Sequence, residues 1–155
     1  MYFESEADTG EQIMTADIDT FSHLVRSQIL LWNACNERVK TSTGLPLARF
    51  DVLRTVEQHP LCRVNDIAEQ MLITVGAASK LVDRLVLSGH LQRQPNPADS
   101  RSSLISLTPE GRTIVKKAGQ EIAALLKTHL SGVDQRSLNN TLALIEQNIH
   151  ATGKK

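Results

Sequence analysis

Asp99 and Arg101 stand two residues apart at the end of the turn-rich stretch Pro95-Asn96-Pro97-Ala98-Asp99-Ser100. A carboxylate at that spacing can fix a guanidinium by paired hydrogen bonds. An arginine carried on a hairpin tip fits a narrow DNA minor groove, where the potential is most negative. Upstream, Thr74, Gly76, Ala77, Ser79, Lys80 and Arg84 fall on the outward side of a predicted helix. Small, hydroxylated and basic residues let a helix enter a major groove without repelling phosphate. Asp83 is the exception on that face, and Lys80 or Arg84 within the helix is its expected partner. Gly76 costs about 1 kcal/mol relative to alanine inside a helix, a cost that close approach of the backbone to DNA explains. Arg93, in the strand leading to the turn, joins this set as a DNA-contacting base.

Other chemistries find little support. His23, His59, His90, His129 and His150 are scattered over different segments, so no metal site is expected. The chain has no Gly-x-Ser-x-Gly, no glycine-rich phosphate loop and no acid pair placed for hydrolysis, which points to no catalytic residue, no cofactor and no enzyme. Two cysteines are too few for a disulfide framework and fit a reducing compartment. Cys35 lies on an apolar stripe and reads as a small buried hydrophobe. Cys62, beside Arg63, is expected to be the more exposed and the more readily ionised.

The elements that must position these residues follow from periodicity. Ile18, Phe21, Val25, Ile29, Trp32, Cys35 and Val39 recur every three or four residues and predict a long helix ending near Thr41 to Gly44. Pro46 is predicted in the first turn of a second helix that ends at His59-Pro60. Two shorter helices follow, over Asn65 to Met71 and Thr74 to Leu87, closed by Ser88-Gly89. His90 to Gln94 and Ser102 to Leu107 predict a hairpin, and Thr108-Pro109-Glu110 starts another helix through Ile114, Ala118, Ile122, Leu125 and His129. Leu138, Leu142, Ile145 and Ile149 mark the last helix. In the central pair, Ala68 and Ala78 are small where two helices would cross, while Ile67, Met71, Ile73, Leu81 and Val82 supply apolar contacts, the pattern of a helix-turn-helix. Leu72 occupies the turn where glycine is common.

The chain has 155 residues, 41% of them hydrophobic, enough for one domain with a core. Its formal net charge is zero, yet six of its 17 acids fall in the first nineteen residues, where there is no base. The remainder carries 17 Lys and Arg against 11 Asp and Glu, a balance that permits a nucleic-acid partner. No apolar run is long enough for a membrane span and the acidic start is unlike a signal peptide, so a cytoplasmic protein that does not bind membranes is expected. Residues 1–16 are expected as an acidic tail, 17–45 as a dimerisation helix, 46–112 as the DNA-binding region and 113–155 as C-terminal dimerisation helices. The stripes of the outer helices exceed what the central unit can cover, which predicts a homodimer.

Asn96-Pro97-Ala98-Asp99-Ser100-Arg101, the strand after it, and Leu107-Thr108-Pro109-Glu110-Gly111-Arg112 together resemble the multiple antibiotic resistance regulator (MarR) family. In that family a wing with an Asp-x-Arg tip runs into a Leu-Thr-x-x-Gly helix start. Leu81-Val82-Asp83-Arg84-Leu85 is similar to the family as well. The resemblance is motif-level from Ile67 to Arg112 and extends in helix order over nearly the whole chain. Asn96 replaces a common acid, and Ser100 a common second arginine, which removes one positive charge from each wing. The resemblance implies a mainly α winged helix-turn-helix with a small β-hairpin wing, acting as a dimeric transcriptional repressor on double-stranded DNA with a pseudo-palindromic operator. It also implies a small aromatic or phenolic effector near Trp32, Arg49, Phe50 and Asp51, and, as an alternative, redox sensing through Cys35 or Cys62. A winged-helix module that binds protein instead of DNA uses the same fold, and salt-dependent DNA binding separates the two.

Overall fold

The computed structural model describes residues 6–152, so Glu4 of the expected acidic tail lies outside the described residues. The elements are α1 (Glu6–Thr43), α2 (Leu47–Gln58), α3 (Val64–Gln70), α4 (Val75–Leu87), β1 (Leu91–Pro95), β2 (Ser103–Leu107), α5 (Pro109–His129) and α6 (Gln135–Thr152). The order matches the apolar periodicity of the sequence. At the N-terminus the two differ, because residues 6–16 belong to α1 where a tail was expected. That stretch contains no proline and a single glycine, and acids near a helix start are favoured by the helix dipole. Pro46 is the N-cap of α2 and so stands one residue before the helix it was expected to open.

Leu53, Ile67, Leu85, Ile105, Val39, Val52, Val56 and Val82 are fully buried and join the end of α1, α2, α3, α4 and β2 in one core. Each such side chain contributes roughly 1.5–3 kcal/mol by leaving water. Ala68 and Ala78 are buried where α3 and α4 pack, as their small size predicts. Between these helices Leu72 takes a left-handed backbone, φ 54°, and Ile73 N–H donates to the Ala68 carbonyl at 3.0 Å to close the turn. A leucine therefore fills the position that glycine usually supplies, and its side chain points to solvent.

The wing is an antiparallel pair with Leu91 opposite Leu107, Arg93 opposite Ile105 and Pro95 opposite Ser103. Leu91, Ile105 and Leu107 anchor its base in the core. Cys62 adds a single bridge on the far side of β2, where Ile105 N–H donates to the Cys62 carbonyl at 2.8 Å. The head of α3 is thereby tied to the wing.

Thr108 caps α5 by accepting from Gly111 N–H at 3.0 Å, and its hydroxyl donates to the Gly89 carbonyl at 2.6 Å. This joins α5 to the end of α4. The outer helices are covered less. Cys35 and Val39 of the α1 stripe are buried, whereas Ile18, Phe21, Val25, Ile29 and Trp32 of the same stripe are exposed, and α6 buries none of its residues. No helix among the described residues is long and apolar enough to cross a membrane.

Candidate nucleic-acid interface

Thr74 begins the site. Its extended backbone precedes α4, and its hydroxyl accepts Ala77 N–H at 3.2 Å, satisfying one of the donors that a helix start leaves unpaired. Burial of Ala78, Val82 and Leu85 then fixes the rotation of α4. With that stripe inward, Gly76, Lys80, Asp83 and Leu87 face outward, Ala77 and Arg84 lie on one flank, and Ser79 is half-buried on the other. Lys80 and Arg84 are exposed and form no ion pair among the described residues. A Cβ built on Gly76 would meet nothing within 4 Å, so packing within the chain does not require glycine there.

Asp83 pairs with neither Lys80 nor Arg84. Its carboxylate accepts from Arg93 Nη2 at 2.7 Å, and Arg93 Nη1 donates to Ser103 Oγ at 2.9 Å. Arg93 thus ties the recognition helix to both strands of the wing, a contact between elements that helical spacing could not reveal.

At the wing tip Arg101 is 92% exposed. Asp99 Oδ1 accepts the backbone N–H of Arg101 at 3.0 Å and approaches its Nε at 3.4 Å. The expected paired hydrogen bonds to the guanidinium are therefore replaced by a backbone bond that shapes the turn and one long side-chain contact. The guanidinium remains free to engage a partner through its terminal nitrogens.

Arg63 was missed as part of this surface. It lines a cleft of about 340 Å³ together with Asn65, Arg93, Asp99, Arg101 and Ser102. Its guanidinium grips Asp66 at 2.7 Å and 3.1 Å, and its backbone N–H donates to the same carboxylate at 2.8 Å. The side-chain bonds from Arg63, followed by that backbone bond, hold the Asp66 carboxyl below the usual carboxylate range. The three-residue spacing of Arg63 and Asp66 at a helix start was the available signal.

Away from this face, Trp32, Phe50 and Asp51 line a cavity of about 560 Å³ with Cys35, Arg54 and Leu142. Arg49, named with them in the sequence, is not among its lining residues. Trp32, Asp51 and Arg54 also line an adjoining cavity of about 480 Å³ that reaches Ile73 and Ala77 of the helix-turn-helix. Cys35 and Cys62 are both buried, which corrects the expected exposure of Cys62: it belongs to the hydrophobic core. Burial raises both thiols, helped at Cys35 by the Asp51 charge, so neither has the lowered pKa of a reactive thiolate. Among the described residues no cluster of three or more His, Cys, Asp or Glu is placed to hold a metal ion.

A helix-turn-helix with a small, basic outward face, followed by a hairpin that carries a highly exposed arginine, defines a winged helix-turn-helix DNA-binding protein. The MarR family model matches residues 43–102. The multiple antibiotic resistance protein MarR of Salmonella typhimurium is 25% identical over 142 residues, covering 85% of this chain and 99% of that protein. A MarR family transcriptional regulator from Streptomyces coelicolor, solved in complex with DNA, superposes with a TM-score of 0.79 at 17% identity over 91% of this chain and 89% of its own. CouR from Rhodococcus jostii, solved bound to p-coumaroyl-CoA, gives 0.74 at 24% identity over 83% of this chain and 90% of its own. Residues 43–102 thus match the MarR family, and over most of its length the chain is similar to MarR-family transcriptional regulators, which supports a DNA-binding regulator.

Proposed function

We propose that two copies of this chain bind a pseudo-palindromic operator in the cytoplasm and repress transcription by excluding polymerase. Each α4 enters a major groove and each wing reaches the flanking minor groove. The observation that carries this reading is the set of exposed cations, Lys80 and Arg84 on α4 without ion pairs among the described residues and Arg101 at the wing tip held only by a long contact to Asp99, together with the anchored Arg93. An aromatic acid in the cavity beside Trp32 and Asp51 would act as inducer, because that cavity adjoins one that touches Ala77 of α4. By linkage, operator must weaken ligand binding by the factor by which ligand weakens operator binding, and titrations with and without operator decide it.

The central test is Arg101→Ala against an operator selected from a random DNA pool. Affinity should fall by roughly tenfold or more, with a shallower dependence on salt and no loss of folding. Lys127→Ala, an exposed change on α5, serves as control and should bind as wild type does. Wild-type affinity of Arg101→Ala at physiological salt would remove the wing from the interface.

A further inference from the structure

The first turn of α4 presents little that can hydrogen-bond to base edges. Between Thr74 and Lys80 there is no Asn, Gln, Asp, Glu or Arg, the side chains that pair with adenine, cytosine or guanine edges in the major groove. The Thr74 hydroxyl oxygen accepts the Ala77 amide, and Ser79 is half-buried. What the turn does present is methyl groups. Val75 is 50% exposed and Ala77 is exposed, on opposite flanks of Gly76. Gly76 has open space where a side chain would be, so the backbone between these two residues can approach a groove floor closely.

In the major groove a base pair displays one apolar group, the 5-methyl of thymine. We propose that α4 reads its half-site chiefly through thymine methyl groups packed against Val75 and Ala77, with Gly76 permitting the approach and Lys80 supplying the first polar contact beyond them. The proposal rests on the DNA-binding reading and adds the chemistry by which sequence is chosen. It makes Val75, which lies outside the polar set singled out in the sequence, a specificity-determining residue.

The test replaces each thymine of the selected operator singly by deoxyuridine, which keeps pairing and every hydrogen-bonding group and deletes only the methyl. Binding of the full chain is measured at fixed salt. At one or more thymines in each half-site the affinity should fall about fourfold, the equilibrium equivalent of one buried methyl-sized group. In Val75→Ala, a change that a first helical position tolerates, the penalty at one of those thymines should shrink below about twofold. The wing cannot mimic this result, because the methyl lies in the major groove. Deoxyuridine operators that all bind within about twofold of the parent would overturn the proposal, as would penalties that Val75→Ala leaves untouched. A pool that enriches no sequence would instead overturn sequence-specific binding itself, and the methyl reading with it.

Discussion

Burial holds the Asp51 carboxyl above the usual carboxylate range, and the Arg54 guanidinium offsets only part of that effect. A raised folded-state pKa means that the native chain binds this proton more tightly than the unfolded chain does. The stability it contributes is fully present below the unfolded value of about 3.9 and is lost as the pH rises through the folded value. Asp51→Asn removes the charge at nearly constant shape, so it should melt a few degrees above wild type at pH 7 and lose that advantage near pH 4. Melting curves at the two pH values check the sign; a variant less stable than wild type at pH 7 would show that the Arg54 pairing outweighs desolvation. At this scale the sequence was legible where a residue's surroundings are local and silent where they are not. Arg101 and Thr74 stand where turn and cap chemistry put them. Arg93 is committed to Asp83, and Cys62 is buried in the core and bridged to Ile105, through contacts between segments that no spacing along the chain encodes.

Two joints between elements depend on backbone geometry that the sequence states unequally. At Gly111 a Cβ would lie 2.0 Å from the His90 carbonyl oxygen, the same carbonyl that accepts Thr108 N–H at 3.1 Å. The first turn of α5 is pressed against the turn between α4 and β1, and glycine there is a requirement of space. Leu72, 87% exposed, takes a left-handed conformation that costs an ordinary residue about 1–2 kcal/mol. Opposite outcomes are therefore expected from two changes. Gly111→Ala should destabilise by about 2 kcal/mol or more, as overpacking against backbone does. Leu72→Gly should stabilise by up to about 1 kcal/mol, the relieved strain less the entropy that glycine loses on folding. Denaturant titrations measure both, and a Leu72→Gly variant weaker than wild type would mean that the exposed leucine has a packing role. Apart from the start of α1, which lies well before its expected boundary, helices and strands were legible to within a residue or two, because burial of one face imposes a period. The single bridge at Cys62 has no period, and the left-handed turn carries a residue that does not announce it.

Across the whole molecule, the apolar surface left uncovered is not scattered. In α1 the exposed residues Ile18, Phe21, Val25 and Ile29 continue a stripe whose other end, Cys35 and Val39, is core, and in α6 Leu142, Leu144 and Ile149 are exposed on a helix that buries nothing. A monomer would leave α6 held by little besides its own hydrogen bonds, which is marginal in water at 18 residues. The second copy proposed above would cover these exposed residues, and it would also set the spacing of the two α4 helices on a palindrome. Phe21→Asp and Ile149→Asp discriminate, since these side chains are 66% and 63% exposed in the single chain and a charge there would cost a monomer almost nothing. In a dimer each change buries a carboxylate in an apolar interface, twice by symmetry. Sedimentation should find wild type at the mass of two chains at micromolar concentration and both variants shifted toward one. The variants' operator affinity should drop more than tenfold, because a single α4 and wing keep only half the contacts. Wild-type melting should rise with protein concentration, since association stabilises the folded chain by mass action. A melting temperature that does not change over a hundredfold dilution, together with variants that sediment as wild type does, would place the partner of these stripes elsewhere.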